Sequence, residues 1–252
     1  SRDLVGLLMR DTRMAGFKYY LGNNNLNLPK ESYLEFKSGT SDIRESHDPI
    51  IIVKNHLGFN KDNENPSVAN SADKVCCDII HIVFDDFNQN NDSQPYLRYK
   101  VSYFAEKNDV DSNDVDEETY SVYKSKALFK QDIGINSGDW TYGCDDCYER
   151  ELIKDNIVDM EFVAFDKDGK ILLPPPNPST LAGRTNLYKV RSVDIRIAFR
   201  SDKKFFNNVI DRSLPGIQRT IADAMPSFST RYLRENIVVT VHTRNIVSGG
   251  NF

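Results

Sequence analysis

The chain has 252 residues, 39% hydrophobic and 27% charged, with a formal net charge of −5. That is enough chain to bury a real core, in one large domain or two modest ones. The acidic balance argues against a general nucleic-acid binder, which needs a basic face to displace phosphate counterions, and it gives no pull toward an anionic membrane surface.

Residues 1–17 read as a helix. Leu4, Leu7, Leu8, Asp11, Met14 and Ala15 follow the three-to-four spacing of one helical face, with Arg2, Arg10 and Arg13 on the other side. Gly16 and Gly22-Asn23-Asn24-Asn25 are stop signals. The chain opens at Ser1 inside this helical pattern, without a methionine, so an upstream segment is expected, with room in it for a membrane helix. Within the sequence itself no run approaches the roughly 18 apolar residues of a membrane span.

Residues 21–70, rich in Asn, Gly, Ser, Asp and Lys, read as a long irregular connection with one strand-like run, Ile50–Val53. Strands follow at Val75–Phe84, Tyr96–Phe104 and Tyr120–Lys130, separated by polar loops. Gly134–Arg150 holds the only tryptophan, Trp140, and reads as an irregular excursion. Ile157–Phe165, the turn Asp166-Lys167-Asp168-Gly169 and Ile171–Leu173 read as a hairpin. The proline-rich Pro174–Pro178 is an extended link. Val190–Phe199 alternates cleanly, with Val193, Ile195, Ile197 and Phe199 on one face. A short helix is expected within Asn207–Asp223 and a closing strand at Asn236–Arg244. One N-terminal helix followed by strands predicts an α+β fold, the helix lying on one face of an antiparallel sheet that carries long loop insertions.

The chemistry-bearing residues are few. His47, His56, His81 and His242 stand outside any Gly-x-Ser-x-Gly or His-Glu-x-x-His setting, and no glycine-rich phosphate loop occurs, so no catalytic residue and no cofactor is expected. Asp109, Asp111, Asn113 and Asp116 offer oxygens at the alternate positions of a calcium loop. Asp114 stands where that loop needs glycine, and Tyr120 where it needs glutamate. The stretch reads as a solvated acidic turn, with calcium the weaker alternative.

The cysteines are the adjacent pair Cys76 and Cys77 and the Cys144-x-x-Cys147 pair. Four thiolates would suffice for structural zinc, but neighbours on a strand point to opposite faces. Disulfides suit an oxidising compartment better. Of the three pairings, crosslinks between the two groups are expected, since bonding Cys76 to Cys77 needs a strained ring.

The run Leu8-Met9-Arg10-Asp11-Thr12-Arg13-Met14-Ala15-Gly16-Phe17 resembles the end of the long helix in the PilW family of type IV pilus minor pilins. Ile157–Phe162 with the Phe165–Lys170 turn, and Val190–Ile197 with the closing Val239–Asn245, look like that family's strand–turn unit and its terminal strand. The J-type pseudopilins of type II secretion share this layout. The resemblance implies a pilin fold. Residues 1–20 would be the C-terminal half of a spine helix and 21–252 a β-rich head. It implies a structural role in starting filament assembly, with other minor pilins, the major pilin and a tip adhesin as partners. It also implies an inner-membrane, then periplasmic and extracellular, location. Arg2, Arg10 and Arg13 would then meet acidic groups of neighbouring subunits. Asp11 lies in the middle of the apolar arc, and an unpaired buried charge is costly. An arginine or backbone amides from the sheet are expected to meet it. A surface binding module using the acidic loops is the alternative, and about 20 apolar residues upstream of Ser1 would decide between the two.

Overall fold

The computed structural model describes residues 2–17, 48–54, 76–88, 96–108, 119–131, 138–172, 175–176, 180–208, 210–213 and 227–246. The elements in chain order are α1 (Arg2–Met14), β1 (Ile50–Val53), β2 (Ile79–Phe87), β3 (Tyr96–Lys107), β4 (Tyr120–Gln131), β5 (Gly138–Thr141), β6 (Tyr148–Phe165), α2 (Leu181–Leu187), β7 (Ser192–Lys204), β8 (Ile210–Ser213), β9 (Ser227–Thr230) and β10 (Tyr232–His242).

Eight of the strands form one antiparallel sheet, in the order β1-β2-β3-β4-β6-β7-β10, with β5 paired beside β4. β8 and β9 pair separately as a two-stranded ribbon. The sheet is curled into a half-barrel. This corrects the expected fold class. The molecule is mostly antiparallel sheet with one short N-terminal helix, and it is not a helix laid along a sheet in the manner of a pilin. The physical reason lies in the strands. They are long, and β6 alone runs 18 residues. Register shifts between β4 and β6, between β6 and β7 and between β7 and β10 add the twist that curls a sheet on itself. Asn156, with φ of 60°, sits at the bend of β6.

β6 changes partners at that bend. Its first half pairs with β4 as far as Ile157, and its second half pairs with β7. Beyond Ile157 the segment before β2 takes over from β4. The Asp78 amide donates to the Met160 carbonyl at 2.8 Å, and the Phe162 amide donates to the Asp78 carboxylate at 2.8 Å. The Lys54 ammonium bridges that carboxylate at 2.6 Å and the Phe162 carbonyl at 2.7 Å. Asp78 is fully buried, so the lysine is what makes its charge tolerable there.

Inside the curl, Leu4, Val5 and Leu8 of α1 and Ala15 just past its end share one apolar cluster with Ile80 and Ile82 of β2, Val101 and Tyr103 of β3, Met160 and Phe162 of β6, Ile195 and Ile197 of β7, and Val241 of β10. Burial of each larger apolar side chain stabilises by roughly 1.5–3 kcal/mol. α1 starts with Asp3 in its first turn and ends with Arg13 in its last, both favourable to the helix dipole. Gly16 stops it in the left-handed region, where its amide donates to the Val83 carbonyl at 2.8 Å. A side chain at Gly16 would also sit 3.1 Å from Pro49.

Several local expectations are also revised. The Asp166–Gly169 turn does fold the chain back on β6, with Ile171 bridging Phe165 and the Leu172 amide donating to the Ala164 carbonyl at 2.9 Å, while the other edge of β6 pairs along β7. The excursion at 134–150 contains β5 and the start of β6. Residues 210–213, expected within a helix, form β8. α2 lies just after the proline-rich link, in a stretch to which no element was assigned, and is capped by the Thr180 hydroxyl accepting from the Gly183 amide.

Candidate functional site

The stretch carrying the family resemblance, Leu8–Phe17, ends α1, and its one buried carboxylate marks where the helix is fastened. Asp11 is 3% exposed. One carboxylate oxygen accepts from the Tyr103 hydroxyl at 2.7 Å and from the Lys124 ammonium at 2.8 Å. The other accepts from Arg10 Nε at 2.9 Å. The expected sheet arginine or amides are therefore replaced by a lysine and a tyrosine, and the arginine comes from the helix itself. The reason is register. Tyr103 of β3 and Lys124 of β4 are direct cross-strand partners, and both point to the face that α1 covers.

Electrostatics follow from that packing. Burial, and then the Asp11 charge and hydrogen bond, hold the Tyr103 phenol far above its usual range, so it stays a donor. Burial and a hydrogen-bonded Glu151 raise Tyr148 in the same region. The Asp11 hydrogen bond raises Arg10. The Arg10 side chain is 64% exposed, so its share of the holding energy is small, while Lys124 at 7% is committed to the carboxylate. The arrangement has the chemistry of a fastener, in which a paired charge and a fixed donor set the helix's position on the strands.

Arg10 and Arg13 are exposed on the helix, as their spacing places them. Arg2 belongs to α1, and its side chain lies outside the described residues. The calcium candidates Asp109, Asp111, Asn113 and Asp116 lie outside them as well.

The cysteines close locally, Cys76 with Cys77 and Cys144 with Cys147, which overturns the expected crosslink between groups. The 142–147 excursion is a tight turn in which the Cys147 amide donates to the Cys144 carbonyl at 3.1 Å, so those two sulfurs meet each other first. Asp159 lies beside the first pair and Asp146 beside the second, with possible ligand atoms within 4.8 Å. The sulfurs are bonded to each other in both places, so neither set offers the thiolates a zinc site requires. Asp146 instead meets Lys126, and Lys126 also lies 3.9 Å over the Tyr99 ring.

Sequence reasoning missed the buried cations. Arg98 grips Asp85 through two contacts, of 2.6 and 3.0 Å. Arg196 meets Asp159 at 2.9 Å and Glu161 at 3.0 Å, and Arg184 faces Asp48 at 3.5 Å. Only Lys124 left such a signal, since with Lys126 it interrupts the alternate positions between Val122 and Leu128, whereas Arg196 stands in phase with Asp194 and Ala198 on the other face of its strand.

No family model matches the chain, and no curated protein matches it. Among solved structures it is similar to a type IV-like pilin from Thermus thermophilus. Identity is 8%, the match covers 96% of this chain and 92% of that one, and the TM-score is 0.44. Similarity at that level transfers no residue roles. Among the described residues no helix is long and apolar enough to cross a membrane.

Proposed function

We propose that this chain is the head of a structural filament subunit, a minor pilin of the PilW kind, and that it acts by docking and not by catalysis. The observation that carries the reading is the placement of the Leu8–Phe17 run. Its acid, Asp11, is fastened under the helix, while Arg10 and Arg13 in the same run remain exposed. A helix held on one side and charged on the other suits contact with acidic groups of neighbouring subunits. Those neighbours would be other minor pilins, the major pilin and a tip adhesin. In this reading α1 continues upstream into the inner membrane, and the head passes from periplasm to extracellular filament.

Charge reversal on the helix tests it. Arg13→Glu changes an exposed side chain whose main internal interaction is with the helix dipole, so the purified chain should lose no more than about 1 kcal/mol of stability to urea. In the native host the same variant should reduce surface filaments and co-purification of companion minor pilins. Unchanged piliation with unchanged folding would remove the helix from the interface. Loss of type II secretion, with filaments intact, would assign the chain to a secretion pseudofilament instead.

A further inference from the structure

The two outermost strands of the sheet are built differently. An open strand edge recruits another strand unless it is short, bulged, charged or broken by proline. β1 is short, at four residues. β10 runs 11 residues, and among the described residues it pairs with β7 alone. It holds no proline and no lysine, and its one register shift lies at its start, between Tyr232 and Arg234. From Asn236 to Val241 no side chain is charged.

One hydrogen bond fixes which way each backbone group of β10 points. The Thr243 amide donates to the Arg191 carbonyl at 2.9 Å, in register with the His242–Ser192 pair beside it. Bonded pairs alternate along an antiparallel ladder, so Val241, Val239 and Ile237 turn their amides and carbonyls to β7. Val238 and Thr240 turn theirs to the other edge. Their side chains lie on the face away from the apolar cluster that holds Val239 and Val241. There Val238 is 51% exposed, and Thr240 is exposed as well. Such an edge specifies a strand as its occupant, because a strand carries acceptors and donors at the matching spacing.

We infer that the occupant is β10 of a second copy of this chain, paired antiparallel about a two-fold axis. Such an axis stands normal to the sheet and keeps every side chain on its own face, so even-numbered residues meet even and odd meet odd. With the axis at Val239, Val238 of each copy bonds to Thr240 of the other, and Ile237 meets Val241 on the core face. All of these side chains are β-branched, the kind that packs well across strands. Two chains of net charge −5 repel, and this uncharged run lets them meet with little opposition. The axis also reverses every direction in the plane of the sheet. α1 advances along β2, from Asp11 at Tyr103, the partner of Ile80, to Gly16 at Val83. The two helices of the pair therefore run in opposite directions. Subunits drawn into one filament from one membrane keep a common helix direction. On the filament reading, on which this consequence alone rests, the contact joins heads carried on different filaments.

Sedimentation velocity of the purified chain over a concentration series tests the pairing. The sedimenting mass should rise from monomer to dimer and stop there. Val238→Pro removes an amide that points away from β7, which an edge strand tolerates, and Val238→Lys places two like charges near the axis. Each change enters a two-fold contact twice, so each should raise the dissociation constant by about tenfold or more. The lysine variant keeps the test decisive if thermal unfolding shows that proline weakens the fold. Leu152→Ser removes an apolar side chain, 50% exposed, on β6 and should leave association unchanged. In amide hydrogen exchange, Val238 and Thr240 should gain protection as concentration rises, while Val239, bonded to β7, stays protected throughout. A monomer at every concentration, a dimer that both Val238 variants leave intact, an equal loss in Leu152→Ser, or growth beyond the dimer would overturn the proposal. Sedimentation reads the chain alone, whereas the Arg13 test reads filaments, so the two proposals fail separately.

Discussion

Asp11 shows how one residue fastens a helix to strands far away in the sequence. Asp11→Ala leaves the Lys124 ammonium buried without its counter-charge and the Tyr103 hydroxyl without its acceptor. Breaking a buried pair in this way costs about 3–5 kcal/mol. Tyr103→Phe removes one hydrogen bond and keeps the ion pair, so it should cost about 1–2 kcal/mol. Urea unfolding of both variants checks the order, and equal losses would mean that the ion pair contributes nothing. Asp166 makes a second residue-level prediction. The Lys170 amide, with smaller help from the Asp168 amide and nearby lysines, holds its carboxyl below the ordinary 3.8. A depressed folded value means that its contribution is present above the unfolded value and lost as pH falls through the folded one. The exchange rates of the Asp168 and Lys170 amides should therefore rise, relative to other turn amides, on acidification below about pH 4. A flat profile would show that the turn holds without the charge.

At the scale of elements, pattern and partner separate. The 3–4 spacing in α1 and the alternation in β3, β4, β7 and β10 are local properties, and they were legible from the side chains alone. Which strand lies beside which is not local. The Asp166–Gly169 turn announced the short return at Ile171, but nothing local announced that the other edge of β6 would take β7, whose Val193, Ile195 and Ile197 face the core. Asp11 could be read as an acid needing a partner because its own helix set its face. Tyr103 and Lys124 could not be named, because they come from strands about 90 and 113 residues away, brought level only by the β3–β4 register. The cysteines failed for the opposite reason. Long-range pairing was expected, and the tight turn at 144–147 made the shortest closure the available one. A loop that short constrains the unfolded chain little, so Cys144→Ser with Cys147→Ser should cost only about 2 kcal/mol. A loss much above that in a calorimetric scan would mean that the excursion supports the sheet more than its contacts indicate.

For the whole molecule, the point to probe is where the curl closes. β2 and β6 are not neighbours in the sheet, yet Asp78 joins them through its amide and its carboxylate. Asp78→Ala should raise hydrogen exchange at the Phe162 amide well before β3 and β4 are affected, and lower stability by about 3 kcal/mol. Protection at Phe162 equal to that of the wild type would show that apolar packing alone closes the curl. The way α1 is secured has a mechanical consequence. Its attachments reach Val83 on β2, Tyr103 and Lys124 in the middle of the sheet, and Asn245 just past β10 at the far edge. A pull along the helix, such as a filament under tension would deliver, is thus shared among strands across the width of the sheet. No single strand takes the whole load and peels, and the curl is drawn tighter around the helix instead of being pried open.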